Sequence, residues 1–421
     1  MNNKSSTFCI LPWIHMASYT DGSALLCCVA NSRKELNFNT TTPEEIWNSS
    51  HFRQSRRLML AGRWVKDCEA CYKLEHIGMY SHRQIENHIW ENKLGMDYIN
   101  QLVESTHPDG SLDSKWITLD LRLGNTCNLQ CTMCRPIDSS KWVKHAIILK
   151  EELTTDAKWD WKHKVDRYST NNFDWYKNES FLKDFYESAK DIRHIIFGGG
   201  EPLYIKEHKE ILEKLVETGD SHHIELRYHT NGTIYDEEVV KLWTKFKFVD
   251  IMISIDGAKE VNEYIRYPSD WSIIEDNLRK YDNTPSMIDV KILCTVQMLN
   301  VYFLPELVNW LSVQKYKKIS KTSLDGTFHP GMLHYPKYLC IKTLPKEIKN
   351  KVSEKLYRFA EANTDNPSIQ RMLKIVDFMN GEDWSEYFNQ TIEYIDKLDQ
   401  LRGTDNSFFK DIINVSTDSK N

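Results

Sequence analysis

The sequence predicts an α/β fold: a partial (β/α)6 TIM-like barrel with an N-terminal cysteine-rich module and a helical C-terminal segment. Three observations predict it. Between Trp116 and Leu324, short apolar runs alternate with amphipathic helical stretches, and such alternation implies a parallel sheet with helices outside. Eight of the ten cysteines lie in the first third of the 421 residues. From Pro345 onward the chain is charged and helical in pattern, with a polar end after Val415. The expected domains are residues 1–105, 106–330 and 331–421.

In the N-terminal module, Thr42 is placed to cap a short helix over Pro43–Trp47. A helical bridge from Arg83 to Glu104 leads out, and Thr106–Gly110 reads as a linker. The first barrel strand is Trp116–Gly124, where Ile117, Leu119, Leu121 and Leu123 alternate with other residues. Strands follow at His194–Phe197, Ile224–Tyr228, Val249–Ile255 and Val290–Met298, with Ile319–Leu324 as the last. Helices are expected over 206–217, 236–246, 271–281 and 304–313. Residues 151–190, with Trp159, Trp161, Trp175 and Tyr176, exceed a simple crossover. They read as an insertion near the barrel mouth or as a packed surface excursion. The Pro-, His- and Tyr-rich stretch Phe328–Leu339 reads as a loop that precedes Cys340.

A net charge of −6 argues against a dominant nucleic-acid surface. No run of about 18 apolar residues offers a membrane span. The polar start Met1–Thr7 lacks the apolar core of a signal peptide. These features place the chain in the cytoplasm, where clustered cysteines indicate metal or redox chemistry over disulfides.

The sharpest motif is Cys127-x3-Cys131-x2-Cys134, just past the first barrel strand. A short loop can turn three thiols toward one point, and thiolates are the soft ligands of iron–sulfur clusters. Three ligands leave one iron of a four-iron cluster open to a chelating molecule. The alternative is a zinc site completed by a distant histidine, or buried cysteines in a turn. Gly198-Gly199-Gly200-Glu201 follows the second strand, Thr230-Asn231-Gly232 the third, and Ser254-Ile-Asp256-Gly257 the fourth. Function in such barrels gathers at the C-terminal ends of strands. Each motif alone is equally a turn.

In this order the motifs resemble the radical S-adenosylmethionine superfamily, over roughly Trp116–Leu324. The resemblance implies a [4Fe–4S] cluster on Cys127, Cys131 and Cys134, whose open iron chelates S-adenosylmethionine. Reductive cleavage would then give a 5′-deoxyadenosyl radical that abstracts hydrogen from a substrate. It further implies that Gly199, Gly200 and Glu201 meet the methionyl ammonium, that Ser254 and Asp256 serve the ribose or carboxylate, and that Asn231 is a neighbour. Arg266 would pair with the carboxylate or lie at the surface, and Met133 would pack by the adenine. The stretch Cys294–Asn300 lacks the glycines of one adenine motif of the family.

Cys9, Gly22-x4-Cys27 and Cys68-x2-Cys71 offer four further ligands, with Cys28 competing with Cys27. Zinc and a [4Fe–4S] cluster are both compatible with them. The pattern resembles the SPASM and twitch modules that carry auxiliary clusters, although those usually follow the barrel. Such modules often accompany peptide or protein modification. The expected substrate is therefore a peptide or protein, and the expected partner an electron donor such as flavodoxin or ferredoxin. The alternatives are a small metabolite, RNA, or a zinc-binding interaction protein without catalysis.

Overall fold

A computed structural model describes residues 6–31, 35–76, 80–169, 171–319, 328–365 and 369–414. Contacts group the chain into two compact units that cut across the ranges expected from sequence. The first holds Met1–Asn125, Asn171–Arg227 and Lys241–Phe248; the second holds Thr126–Thr170, Tyr228–Val240 and Val249–Asn421.

In the first unit, strands β1 (His15–Ser18), β2 (Ala24–Leu25), β3 (Thr118–Arg122) and β4 (His194–Gly198) form ladders. β1 pairs antiparallel with β2 and parallel with β3, and β3 pairs parallel with β4. The cysteine-rich segment thus adds a strand to β3. In β3, Leu119 and Leu121 point one way, and Thr118 and Asp120 the other. Phe197 of β4, whose register partner is Leu121, packs its ring 4.9 Å from His208 of the helix Lys206–Glu217. That helix therefore covers the Leu119–Leu121 face. Trp175 packs against Phe38 and Phe181, so this half of the expected insertion is part of the core. β5 (Glu225–Thr230) begins in the first unit and ends in the second.

In the second unit β6 (Phe248–Ser254), β7 (Ile288–Val296) and β8 (Phe328–Met332) pair in parallel. β7 alternates buried and half-buried residues along its whole length, as its apolar pattern predicts. Strands β3 to β8 supply the six of the partial (β/α)6 reading. The expected last strand, Ile319–Leu324, lies outside the described residues apart from Ile319. The stretch read as a loop begins instead with β8. Pro330 and Gly331 made it look loop-like, yet among the described residues β8 pairs with β7 alone, and an edge strand tolerates a missing N–H. The tail forms helices Lys346–Ala362, Ile369–Asn380, Phe388–Arg402 and Ser407–Asn414. No helix among the described residues is long and apolar enough to cross a membrane.

Candidate functional site

The loop Cys127–Cys134 belongs to the second unit and has no strand ladder to satisfy its backbone. Buried carbonyls must find partners, and here four consecutive ones are taken by side chains. Ser139 Oγ donates to Leu129 O at 2.6 Å, and Arg402 Nη2 to Gln130 O at 2.6 Å. Trp142 Nε1 donates to Cys131 O at 3.0 Å, and Tyr394 OH to Thr132 O at 2.7 Å. The N–H groups of Gln130 and Thr132 donate to Tyr267 O and Ile265 O. Two of the four clamping side chains, Tyr394 and Arg402, come from the helix Phe388–Arg402. The sequence marks that tail only as charged and helical. A partner separated by more than 260 residues leaves no local signal.

The loop holds three thiols close together. Cys127 and Cys131 are buried, Cys134 is half-buried, and Met133 packs against them. Leu129 N–H donates to Cys127 Sγ at 3.4 Å, and Arg266 Nη1 approaches Cys131 Sγ at 3.9 Å. The hydrogen bond from Cys134 holds the Cys131 thiol below its ordinary range, aided by the charges of Arg266 and Arg402 against burial. The same pairing, with burial, pushes Cys134 up.

Arg266 is buried, so the surface alternative is excluded. Its Nε lies 2.9 Å from Asp256 Oδ2, a buried ion pair. Asp256 lies past the end of β6, fully buried, and accepts from Thr295 N–H at 2.7 Å. Burial raises its carboxyl while Arg266 opposes the rise. Ser254 is half-buried at the strand end. Asn231 is buried and donates to Asn128 Oδ1 at 2.8 Å, which ties it to the residue after Cys127. Gln297, unnoticed in the sequence, accepts from Thr132 Oγ1 at 3.3 Å while its buried Nε2 has no partner among the described residues. Buried polar atoms left unpaired in this way mark a place for a polar ligand. Three soft thiols with N–H donors on two of them fit an iron–sulfur cluster.

Gly199, Gly200 and Glu201 lie in the first unit. Gly199 has φ +107°, and a Cβ there would stand 2.8 Å from Gly124 O. Only glycine suits that position. Gly200 N–H donates to Gly124 O at 3.1 Å. Glu201 is fully buried and accepts from Leu203 N–H at 3.2 Å.

The first unit also gathers Cys9, Cys27, Cys68 and Cys71. Burial is the main force pushing up the Cys9, Cys27 and Cys68 thiols. Cys68 and Cys71 add to the rise at Cys9, the adjacent Cys28 and then Cys9 and Cys71 at Cys27, and Cys27 and Cys71 at Cys68. The four therefore sit near enough to feel one another's charge. Cys28 is exposed and faces elsewhere, its Sγ 3.6 Å from His82 Nε2. This geometry favours Cys27 over Cys28 as the fourth member. Among the described residues no three His, Cys, Asp or Glu side chains converge as on a single metal ion; a four-iron cluster holds its thiolates apart by its own width. Cys294 and Cys340 are buried, and Cys294 Sγ accepts from Asn300 Nδ2 at 3.7 Å.

Residues 121–284 match the Radical SAM superfamily model, and residues 9–72 match SPASM, an iron–sulfur cluster-binding domain. Mycofactocin maturase MftC of Mycolicibacterium smegmatis is 32% identical over 114 residues, 27% of this chain and 28% of that protein. The chain thus spans under a third of the length of this curated relative. Among solved structures, anSMEcpe with bound AdoMet is similar at TM-score 0.38 and 19% identity, over 63% of this chain and 62% of that one. SuiB of Streptococcus suis bound to S-adenosylmethionine is similar at TM-score 0.33 and 13% identity, over 63% and 61%.

Proposed function

We propose that this chain, which carries a Radical SAM domain and a SPASM iron–sulfur domain, reductively cleaves S-adenosylmethionine and uses the product radical on a peptide or protein. The observation that carries this reading is the clamped loop with three thiols and the buried Arg266 at Cys131. Cys127, Cys131 and Cys134 would hold the [4Fe–4S] cluster, and Cys9, Cys27, Cys68 and Cys71 an auxiliary one. When bound, cluster and S-adenosylmethionine supply a 5′-deoxyadenosyl radical able to take hydrogen from an unreactive C–H bond.

The chain's own residues bind and orient. Arg266 would offer the remaining donors of its guanidinium to the methionyl carboxylate, with Asp256 holding its Nε. Ser254 and Gln297 would offer hydrogen bonds, Met133 would pack by the adenine, and Asn231 would hold the cysteine loop through Asn128. Gly199, Gly200 and Glu201 would meet the methionyl ammonium. The peptide substrate is supported by the maturase similar to this chain and by the company SPASM modules keep. An electron donor such as flavodoxin or ferredoxin completes the system.

The test is anaerobic reconstitution with iron and sulfide, then assay with dithionite and S-adenosylmethionine. Release of 5′-deoxyadenosine that Cys131→Ala abolishes supports the reading. A protein that takes up zinc and no iron overturns it.

A further inference from the structure

The first unit contains a small cavity of about 50 Å³ that the proposed chemistry does not use, lined by both polar and apolar side chains. The register places His15 of β1 beside Thr118 of β3, and Thr118 beside His194 of β4. Asp120 follows in the next row, on the sheet face opposite the helix Lys206–Glu217. The helix His82–Leu94 lines this face with His82, Glu86 and Trp90, one helical stripe. Cys28 stands in the lining too.

The chemistry of the lining is that of acceptors. His15 is 5% exposed, and its Nδ1 has no partner among the described residues. Burial holds its imidazole at about 3 and His194 well below its ordinary range, so both are neutral and offer lone pairs. Asp120 is 6% exposed, and its ion partner, Arg122 Nε, is 3.9 Å away. Glu86 Oε1 stands 4.0 Å from His82 Nδ1, and its Oε2 accepts from Trp90. Lys93 and Arg227 also line the cavity; Lys93 is paired with Glu225 at 2.5 Å, while the charge of Arg227, after burial, helps hold His194 down. A desolvated carboxylate with a distant counter-ion gains most from a cation that arrives with N–H donors.

We propose that this cavity binds a protonated amine or guanidine, the basic side chain of a peptide substrate, with Asp120, Glu86 and His15 Nδ1 accepting its hydrogen bonds. The substrate part rests on the function proposed above. A metal ion is the poorer fit, because among the described residues no three such side chains converge on a point.

Cys28 reports on the site directly. In the cluster-loaded full chain it would be labelled by aminoethyl methanethiosulfonate, a cation, and by sulfonatoethyl methanethiosulfonate, an anion of similar size. In each case its sulfur displaces methanesulfinate and forms a disulfide. Peptide mapping gives the two rates at Cys28, and their ratio cancels the thiolate fraction. We expect the cation to react several-fold faster, because Asp120 and Glu86 stand in the same lining as Cys28. Asp120→Asn, and independently Glu86→Gln, should bring the ratio toward one with iron content unchanged. Ethylammonium chloride should slow labelling and tetramethylammonium chloride should not, because only the first donates hydrogen bonds. Equal rates, a preference for the anion, a ratio that neither substitution moves, or equal protection by both ammonium ions overturns the proposal. Labelling needs no radical chemistry. A chain that releases no 5′-deoxyadenosine can still show the preference, so the two readings fail separately.

Discussion

Replacing Arg402 with Met removes the guanidinium that clamps Gln130 O and keeps most of its volume. The lost bond is a 2.6 Å contact from a charged donor, a class that contributes about 1.5–3 kcal/mol. Arg402 also lies 5.1 Å from the Trp142 ring and 5.0 Å from that of Tyr267, and each such contact contributes about 0.5–2 kcal/mol. Burial opposes these gains: it holds the guanidinium below its ordinary range, and Nε and Nη1 have no partners among the described residues. Relief of several kcal/mol of desolvation offsets most of the loss. We therefore expect a net loss of about 1–2 kcal/mol in urea unfolding. The damage should concentrate on the loop, because the orphaned carbonyl sits beside Cys131. At about 1.4 kcal/mol per factor of ten, iron transfer from the reconstituted protein to a chromogenic chelator should speed up about tenfold. Tyr394→Phe, which frees Thr132 O, should give a several-fold effect in the same assay. Lys346→Ala, exposed at the start of the helix Lys346–Ala362, should give none. Arg402→Met protein that yields its iron no faster than wild type would refute the clamp.

The other predictions concern the first unit. Cys27→Ala should lower the iron content of the reconstituted chain by one cluster, whereas Cys28→Ala should leave the count unchanged. Gly199→Ala should cost about 1–3 kcal/mol in denaturant unfolding, since it strains a positive φ and meets Gly124 O. Gly198→Ala, whose nearest atom is Arg122 Cγ at 4.0 Å, should cost under about 1 kcal/mol. His15 has a folded pKa depressed from 6.5 to about 3, so the unfolded chain binds the proton first. Stability is full above about 6.5 and falls with pH toward about 3, by about 1.4 kcal/mol per unit for this residue. Unfolding at about pH 7.5 and about pH 5.5 should show a smaller pH difference in His15→Gln than in wild type.

Much of this architecture was legible because it is written locally. The alternation in Ile288–Val296 states a half-buried strand, and three cysteines within eight residues state a ligand loop. What escaped was non-local or masked. His15–Ser18 is buried on both faces, so it carries no alternation, and Pro330 disguised β8 as a loop. Arg402 and Tyr394 read as ordinary residues of a charged helix, because their partners Gln130 and Thr132 are 272 and 262 positions away. Arg266 could be called buried only once Asp256 was seen across from it. The spacing from Gly22 already favours Cys27 over Cys28, and the fold adds that Cys28 is exposed and lies by His82.

The central claim is that Cys127, Cys131 and Cys134 hold the cluster to which S-adenosylmethionine binds. Electron paramagnetic resonance of the reduced protein, before and after S-adenosylmethionine is added, tests it most directly. The account predicts that the cofactor alters one cluster signal, that Cys131→Ala abolishes that signal, and that Cys71→Ala leaves it in place. If S-adenosylmethionine alters no signal, or alters only the one lost in Cys71→Ala, the assignment of the two cysteine sets is wrong.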